Sequence, residues 1–276
     1  HQALVKLTGD ASVSQILSEP NNILGIEYLK ALKKQNSRIV PYTLKRDSSG
    51  YHDTKLQPQS SSASAIRNAL RHWEEQPFSR YPADPQQTPD GFSELLQNLR
   101  LLRDAWNQSC PIETNDFSLL LKYRLLCETR RSLCEYQDIS EDLANRIIRN
   151  RNQFLNFEQF CQLLKTKELT YSRISRGLLH ILLAVKKEDM LRYRESSCIY
   201  TRILGFRKEH ADVLRQIKEN ASIPVITKLG QTDSLLPETI RMLDQTTFAS
   251  DLYVSVVSDK FGIPFINEYQ KQIIHV

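Results

Sequence analysis

Ser60-Ser61-Ser62-Ala63-Ser64-Ala65-Ile66-Arg67-Asn68-Ala69-Leu70 reads as a helix start able to hold an anion. Serine hydroxyls cap the free N–H groups of a first turn, and the small residues after them let an anion approach the positive end of the helix dipole. Arg67 follows about one turn inside, where a guanidinium fork reaches the same oxygens. Serine capping also opens ordinary amphipathic helices, so the stretch takes its meaning from what surrounds it.

Upstream, residues 12–17 have a helix-like cap and apolar spacing, and Pro20 is expected to end that element. Asn21 or Asn22, the latter more naturally, then caps a helix over 23–34. Its residues Ile23, Leu24, Ile26, Leu29 and Leu32 cover most of one side. Arg38-Ile39-Val40-Pro41-Tyr42-Thr43-Leu44 reads as a short strand that Pro41 moves to a sheet edge, ending in Lys45-Arg46-Asp47. A loop from Ser48 to Pro58 returns to the serine-rich helix. In a parallel α/β sheet, ligands sit at the carboxyl ends of strands and the amino ends of the next helices. That order would gather Lys45, Arg46, Ser64 and Arg67.

Downstream, Pro77, Pro82, Pro85 and Pro89 punctuate a polar connector, followed by an amphipathic helix over 93–106. From Asp116 on the periodicity is helical. Residues 117–126 are apolar nearly all round and predict a buried central helix. Ser140, Asn156 and Thr170 each stand at the start of a helix carrying an inward apolar stripe. His180 falls on such a stripe, as a satisfied core histidine. Ile223-Pro224-Val225-Ile226-Thr227-Lys228 is extended, and a last helix spans 247–257. The expected fold class is α/β plus all-α: an incomplete α/β layer over 1–75, a connector with one helix over 76–111, and a mostly helical domain over 112–276.

The chain has 276 residues, 40% of them hydrophobic and 25% charged, with no apolar run long enough for a membrane span. A net charge of +5 permits a nucleic-acid partner without requiring one. Cys110, Cys127, Cys134, Cys161 and Cys198 are scattered and form no CxxC, which indicates neither a disulfide framework nor a zinc site and fits a reducing cytoplasm. Cations recur at Arg146, Arg149, Arg151, Lys165, Lys167, Arg173, Arg176, Lys186 and Lys187, with Tyr171 among them. Such a series tracks phosphates or simply solvates a bundle. No Walker loop, GxGxxG, HExxH or GxSxG is present.

Several motifs in one order resemble those of the bacterial tRNA(Met) cytidine acetate ligases, a family described as nucleotidyltransferases. They are Pro20-Asn21-Asn22-Ile23-Leu24-Gly25-Ile26-Glu27-Tyr28-Leu29-Lys30, Thr43-Leu44-Lys45-Arg46, Gly50-Tyr51-His52-Asp53 and Ser64-Ala65-Ile66-Arg67. Further along come Leu121-Lys122-Tyr123-Arg124-Leu125-Leu126, Leu164-Lys165-Thr166-Lys167, Tyr171-Ser172-Arg173-Ile174-Ser175-Arg176 and Ile223-Pro224-Val225-Ile226-Thr227-Lys228. The resemblance implies the carboxyl-terminal part of a Rossmann-like nucleotidyltransferase domain followed by a tRNA-holding helical domain. It implies ATP, with magnesium, and acetate as substrates, and acetylation of the wobble cytidine of elongator tRNA(Met) through acetyl-adenylate. By motif the resemblance implies one asparagine of the pair Asn21 and Asn22, Arg46 and Arg67 as nucleotide-binding residues, to which the helix-start reading adds Ser64; from the recurring cations, Arg146, Arg149, Lys165, Lys167, Arg173 and Arg176 are the expected RNA-binding residues. The family's HxGH motif is absent, so the chain is expected to lack the amino-terminal part and to be inactive in adenylation alone. Two other readings stay open: a helical RNA-binding module without catalysis, and a nucleotidyltransferase acting on a small phosphorylated substrate.

Overall fold

The computed structural model describes residues 6, 9, 10, 20–44, 62, 63, 65, 67, 108–195, 200–230 and 235–275. The chain divides into two compact units, His1–Leu101 and Leu102–Val276. The connector proposed over 76–111 and the helices expected over 12–17 and 93–106 fall almost wholly outside the described residues.

In the first unit, helix α1 spans Pro20–Lys34. Pro20 opens this helix instead of ending an earlier one, because its missing N–H is no loss in a first turn. Asn21 and Asn22 therefore lie inside the first turn and not at the cap. The helix closes on Asn36 at φ 47, with Ser37 N–H donating to Leu32 O (3.0 Å) and Asn36 N–H to Lys33 O (3.2 Å), the two bonds of a Schellman ending. Residues 37–44 join no sheet among the described residues, and Val40 and Tyr42 are 85% and 89% exposed. The expected edge strand is thus corrected: Pro41 has no N–H to give a ladder. Ser62 is the true cap of the next helix, its Oγ accepting from Ala65 N–H at 3.0 Å.

In the second unit, a 3-10 turn Thr114–Phe117 leads into α2 (Ser118–Cys127) and the short α3 (Arg130–Leu133). Then come α4 (Glu141–Asn150), α5 (Phe157–Leu164), α6 (Tyr171–Leu182) and α7 (Lys187–Glu195). The caps expected for α4, α5 and α6 are all present: Ser140, Asn156 and Thr170 accept from Leu143, Gln159 and Arg173 N–H. Leu121, Leu125, Leu143, Ile147, Phe157, Phe160, Ile174 and Leu178 form the buried core of this bundle. Helix α2 is not buried all round as its composition suggested, since Leu119, Tyr123 and Leu126 face solvent and Leu121 and Leu125 alone are fully buried. Only one stripe of it meets α6.

Beyond α7, β1 (Thr201–Arg202), β2 (Gly205–Phe206), α8 (Ala211–Asn220), β3 (Val225–Ile226), α9 (Pro237–Phe261) and β4 (Ile274–His275) complete the unit. β1 pairs in parallel with β3, and β2 with β4. The extended segment around Val225 is therefore a strand. The last helix, α9, is far longer than expected; Pro237 starts it and Gly262, at φ 64, ends it.

Two polar nodes hold these layers. Tyr136, 1% exposed, donates its O–H to Glu128 Oε1 (2.5 Å) and accepts from Arg124 Nη2 (2.9 Å). Its ring lies under Lys186 Nζ (3.6 Å), and its backbone bridges to Lys186. Glu268, 6% exposed, receives Lys271 Nζ and Ser250 Oγ at 2.5 Å and Arg202 Nη2 at 2.7 Å, joining β1 to α9.

Tyr136→Phe keeps the packing but removes one donor from a buried carboxylate, so chemical denaturation should show a loss of about 1–3 kcal/mol. Glu268 gives a pH signature. Burial raises its carboxyl, but the bonds from Lys271, Ser250 and Arg202 outweigh this and lower it from 4.5 to about 2. Its contribution, about 3 kcal/mol, is present above pH ~4.5 and fades toward pH ~2. Unfolding measured across that window should show the parent's advantage over Glu268→Gln shrinking as acid is added.

Candidate functional site

The first unit brings few of the expected nucleotide ligands into view. Asn21 and Asn22 are exposed on the opening turn of α1. Arg67 is exposed five residues beyond the buried cap Ser62, where a guanidinium is open to an anion. Arg46 and Ser64 lie outside the described residues.

The cations of the second unit fall into two groups. Arg146 Nε donates to Leu164 O (3.1 Å), satisfying a carbonyl at the end of α5. Arg176 Nε pairs with Asp138 Oδ2 (2.5 Å), and Lys186 Nζ with Glu135 Oε2 (3.1 Å). Lys187 Nζ donates to Cys134 O (2.6 Å) and Ile139 O (2.8 Å). Arg149, Lys165, Lys167 and Arg173 are exposed and form no ion pair among the described residues. His180 is half-buried and held against Gln137 O at 3.1 Å, a satisfied core histidine as expected.

A cleft of about 390 Å³ opens where residues 137–140, the first turn of α6 and one face of α7 meet. Lys187, Met190, Leu191 and Arg194 line it, spaced as i, i+3, i+4 and i+7 along that face, with Arg173 opposite. The other side of α7 is fastened inward. Buried Asp189 takes Arg241 Nη2 (2.7 Å) and Gln245 Nε2 (2.8 Å) from α9, and Tyr193 O–H donates to Gln245 Oε1 (2.9 Å). Sequence reasoning missed Met190, Leu191 and Arg194; the available signal was their shared helical face with Lys187.

The other reactive groups are muted. Burial, with Glu158 nearby, pushes the Cys161 thiol up to about 12, so it stays protonated and inert. Among the described residues, no His, Cys, Asp or Glu cluster could hold a metal ion, and no helix is long and apolar enough to cross a membrane.

Residues 1–263 match the family model for HIGH nucleotidyl transferases. The chain is similar to the tRNA(Met) cytidine acetate ligase of Caldanaerobacter subterraneus subsp. tengcongensis, 35% identical over 91% of this chain and 59% of that protein. It is 39% identical to the Clostridium acetobutylicum protein of the same name, over 78% of this chain and 50% of that one. Its fold is that of Thermotoga maritima TmcAL, with a TM-score of 0.75 at 23% identity, covering 99% of this chain and 64% of that one. A second crystal form of that protein, bound with alpha-thio ATP, matches at a TM-score of 0.72 and 22% identity, over 99% and 64% of the two chains. The chain spans roughly half to three-fifths of the length of these curated relatives. Since the family match begins at residue 1, it gives no support to the expectation that the amino-terminal part is lacking.

Arg173 and Arg176, one turn apart, should respond differently to charge reversal. Arg176→Glu sets a carboxylate against Asp138 and should cost about 1 kcal/mol, a fall of a few degrees in melting temperature. Arg173→Glu should leave the melting temperature nearly unchanged, as a thermal scan of both variants will test.

Proposed function

The chain belongs to the HIGH nucleotidyl transferase family, and on that premise we propose that the whole protein activates acetate with ATP and acetylates the wobble cytidine of elongator tRNA(Met) in the cytoplasm. The observation that carries this reading is the similarity, at 35% identity over 91% of the chain, to a curated tRNA(Met) cytidine acetate ligase. Further relatives with the same name support it.

The chemistry asks little covalent work of the protein. Acetate attacks the α-phosphorus of ATP and pyrophosphate leaves; the resulting mixed anhydride, acetyl-adenylate, passes its acetyl group to the cytidine amine, which gives up a proton as AMP leaves. Negative charge builds on the phosphates during the first step, so positioned cations and helix N–H groups are the stabilisers needed. In this reading Arg67, Ser64 and the Ser62-capped helix start receive phosphate oxygens, with Asn21, Asn22 and Arg46 as further nucleotide ligands. The exposed Arg67 beside a satisfied serine cap fits that task. Magnesium would arrive with the ATP phosphates. In the second unit, Arg149, Lys165, Lys167 and Arg173 are free to meet RNA phosphates, while Arg146 and Arg176 contribute charge from fixed positions.

Arg46 provides the test. In the full-length protein, Arg46→Ala should lower acetate-dependent exchange of pyrophosphate into ATP by about tenfold to a hundredfold, the worth of one charge-assisted hydrogen bond, with tRNA affinity largely kept. Normal exchange in a variant with the parent's melting temperature would remove Arg46 from the nucleotide site.

A further inference from the structure

The cleft beside α7 combines features that no solvated helix face needs. Its cations are Arg173, Lys187 and Arg194, and the one carboxylate among its lining residues, Asp138, is already paired with Arg176. Glu141, just past the lining residue Ser140, is turned to Arg130 at 3.7 Å. Lys187 spends two of its three N–H donors on Cys134 O and Ile139 O, so its charge is anchored in the wall while one donor remains.

Between the cations the floor is apolar. Ile139 is buried, Met190 is half-buried and Leu191 is 59% exposed. Lys187 and Arg194, seven residues apart on one helix, stand about 10 Å from each other along its axis. An apolar plate with a cation at each end suits a strand whose bases are unstacked, because the base covers the plate while its flanking phosphates meet the charges. A paired helix presents a polar groove edge and phosphates, and would leave Leu191 in water. Met is well suited to such a floor, since its flexible thioether adapts to whichever base arrives.

The geometry points to this cleft as the seat of a single-stranded RNA segment. One base lies on Met190 and Leu191, Lys187 and Arg194 hold the phosphates on either side, and Arg173 faces them from α6. This assignment rests on the RNA reading of the second unit and extends it from dispersed cations to a defined site.

Fluorescence anisotropy with three labelled probes tests it on the full-length protein: bulk tRNA, a single-stranded oligoribonucleotide and an RNA duplex of equal length. The parent should prefer the single strand to the duplex. Arg194→Glu should weaken single-strand binding about tenfold or more and lower the salt slope by about 1, whereas Leu191→Ala should weaken it without changing the slope. Arg192→Glu makes the same charge change on another face of α7, where Arg192 pairs with Glu188, and should have a much smaller effect. A melting scan accompanies each variant, and Arg194→Gln replaces the reversal if the latter unfolds. Equal losses for the Arg192 and Arg194 variants, tighter binding of the duplex, or displacement of the oligonucleotide by equimolar ATP would overturn the cleft assignment and leave the RNA reading standing. Failure of the parent to bind any of the three probes would overturn both.

Discussion

A buried phenol holds the helical unit in register. Tyr136 sits in the core with its O–H on Glu128 and Arg124 on its oxygen, while its backbone reaches Lys186. Burial raises the phenol above its ordinary value, with the hydrogen bond to Glu128 adding to the shift, so the proton stays in place to be donated. The segment from Cys134 to Ser140 is thereby pinned between α3 and α4. From it Gln137 and Asp138 reach α6, and the carbonyls of Cys134 and Ile139 catch Lys187 at the start of α7. Gly177 completes the arrangement, since a Cβ there would stand 2.8 Å from Ile139 Cδ1. α6 approaches that segment closely because nothing projects from it.

The charges divide by what they cost. A cation satisfied inside the fold, like Arg146 on the Leu164 carbonyl, answers a polar group that would otherwise be stranded. An exposed cation such as Arg173 adds little to stability and keeps its donors for a partner. The same helix carries both kinds: α6 presents Arg173 to the cleft and ties Arg176 to Asp138. A chain with this distribution can change its exposed charges while its fold stays protected.

The two units carry different kinds of charge-bearing surface. A serine-capped helix with an arginine one turn on is a phosphate-receiving device, and phosphoryl transfer is governed by such positioned charge. The helical bundle exposes Arg149, Lys165, Lys167 and Arg173 and opens a cleft beside α7. Cys161, fully buried with its thiol raised to about 12, serves packing alone.

Local signals were legible wherever one residue's chemistry settles one backbone group. Ser62, Ser140, Asn156 and Thr170 were readable as caps because an oxygen three residues before an N–H satisfies it whatever lies elsewhere. The motifs of the family were legible for the same reason of locality. What the chain could not disclose by itself depended on partners distant in sequence. α2 looked buried all round, but whether its second face is covered rests on neighbours that only the assembled bundle names. Residues 38–44 had strand composition, yet a strand exists only when another strand offers it hydrogen bonds, and Pro41 offers none in return. Arg146 and Arg176 looked like solvated charges until Leu164 O and Asp138 were brought beside them. Arg194 looked incidental until Asp189, on the other side of the same helix, was fixed to Arg241 and Gln245 of α9 and so decided which face of α7 is left to line the cleft.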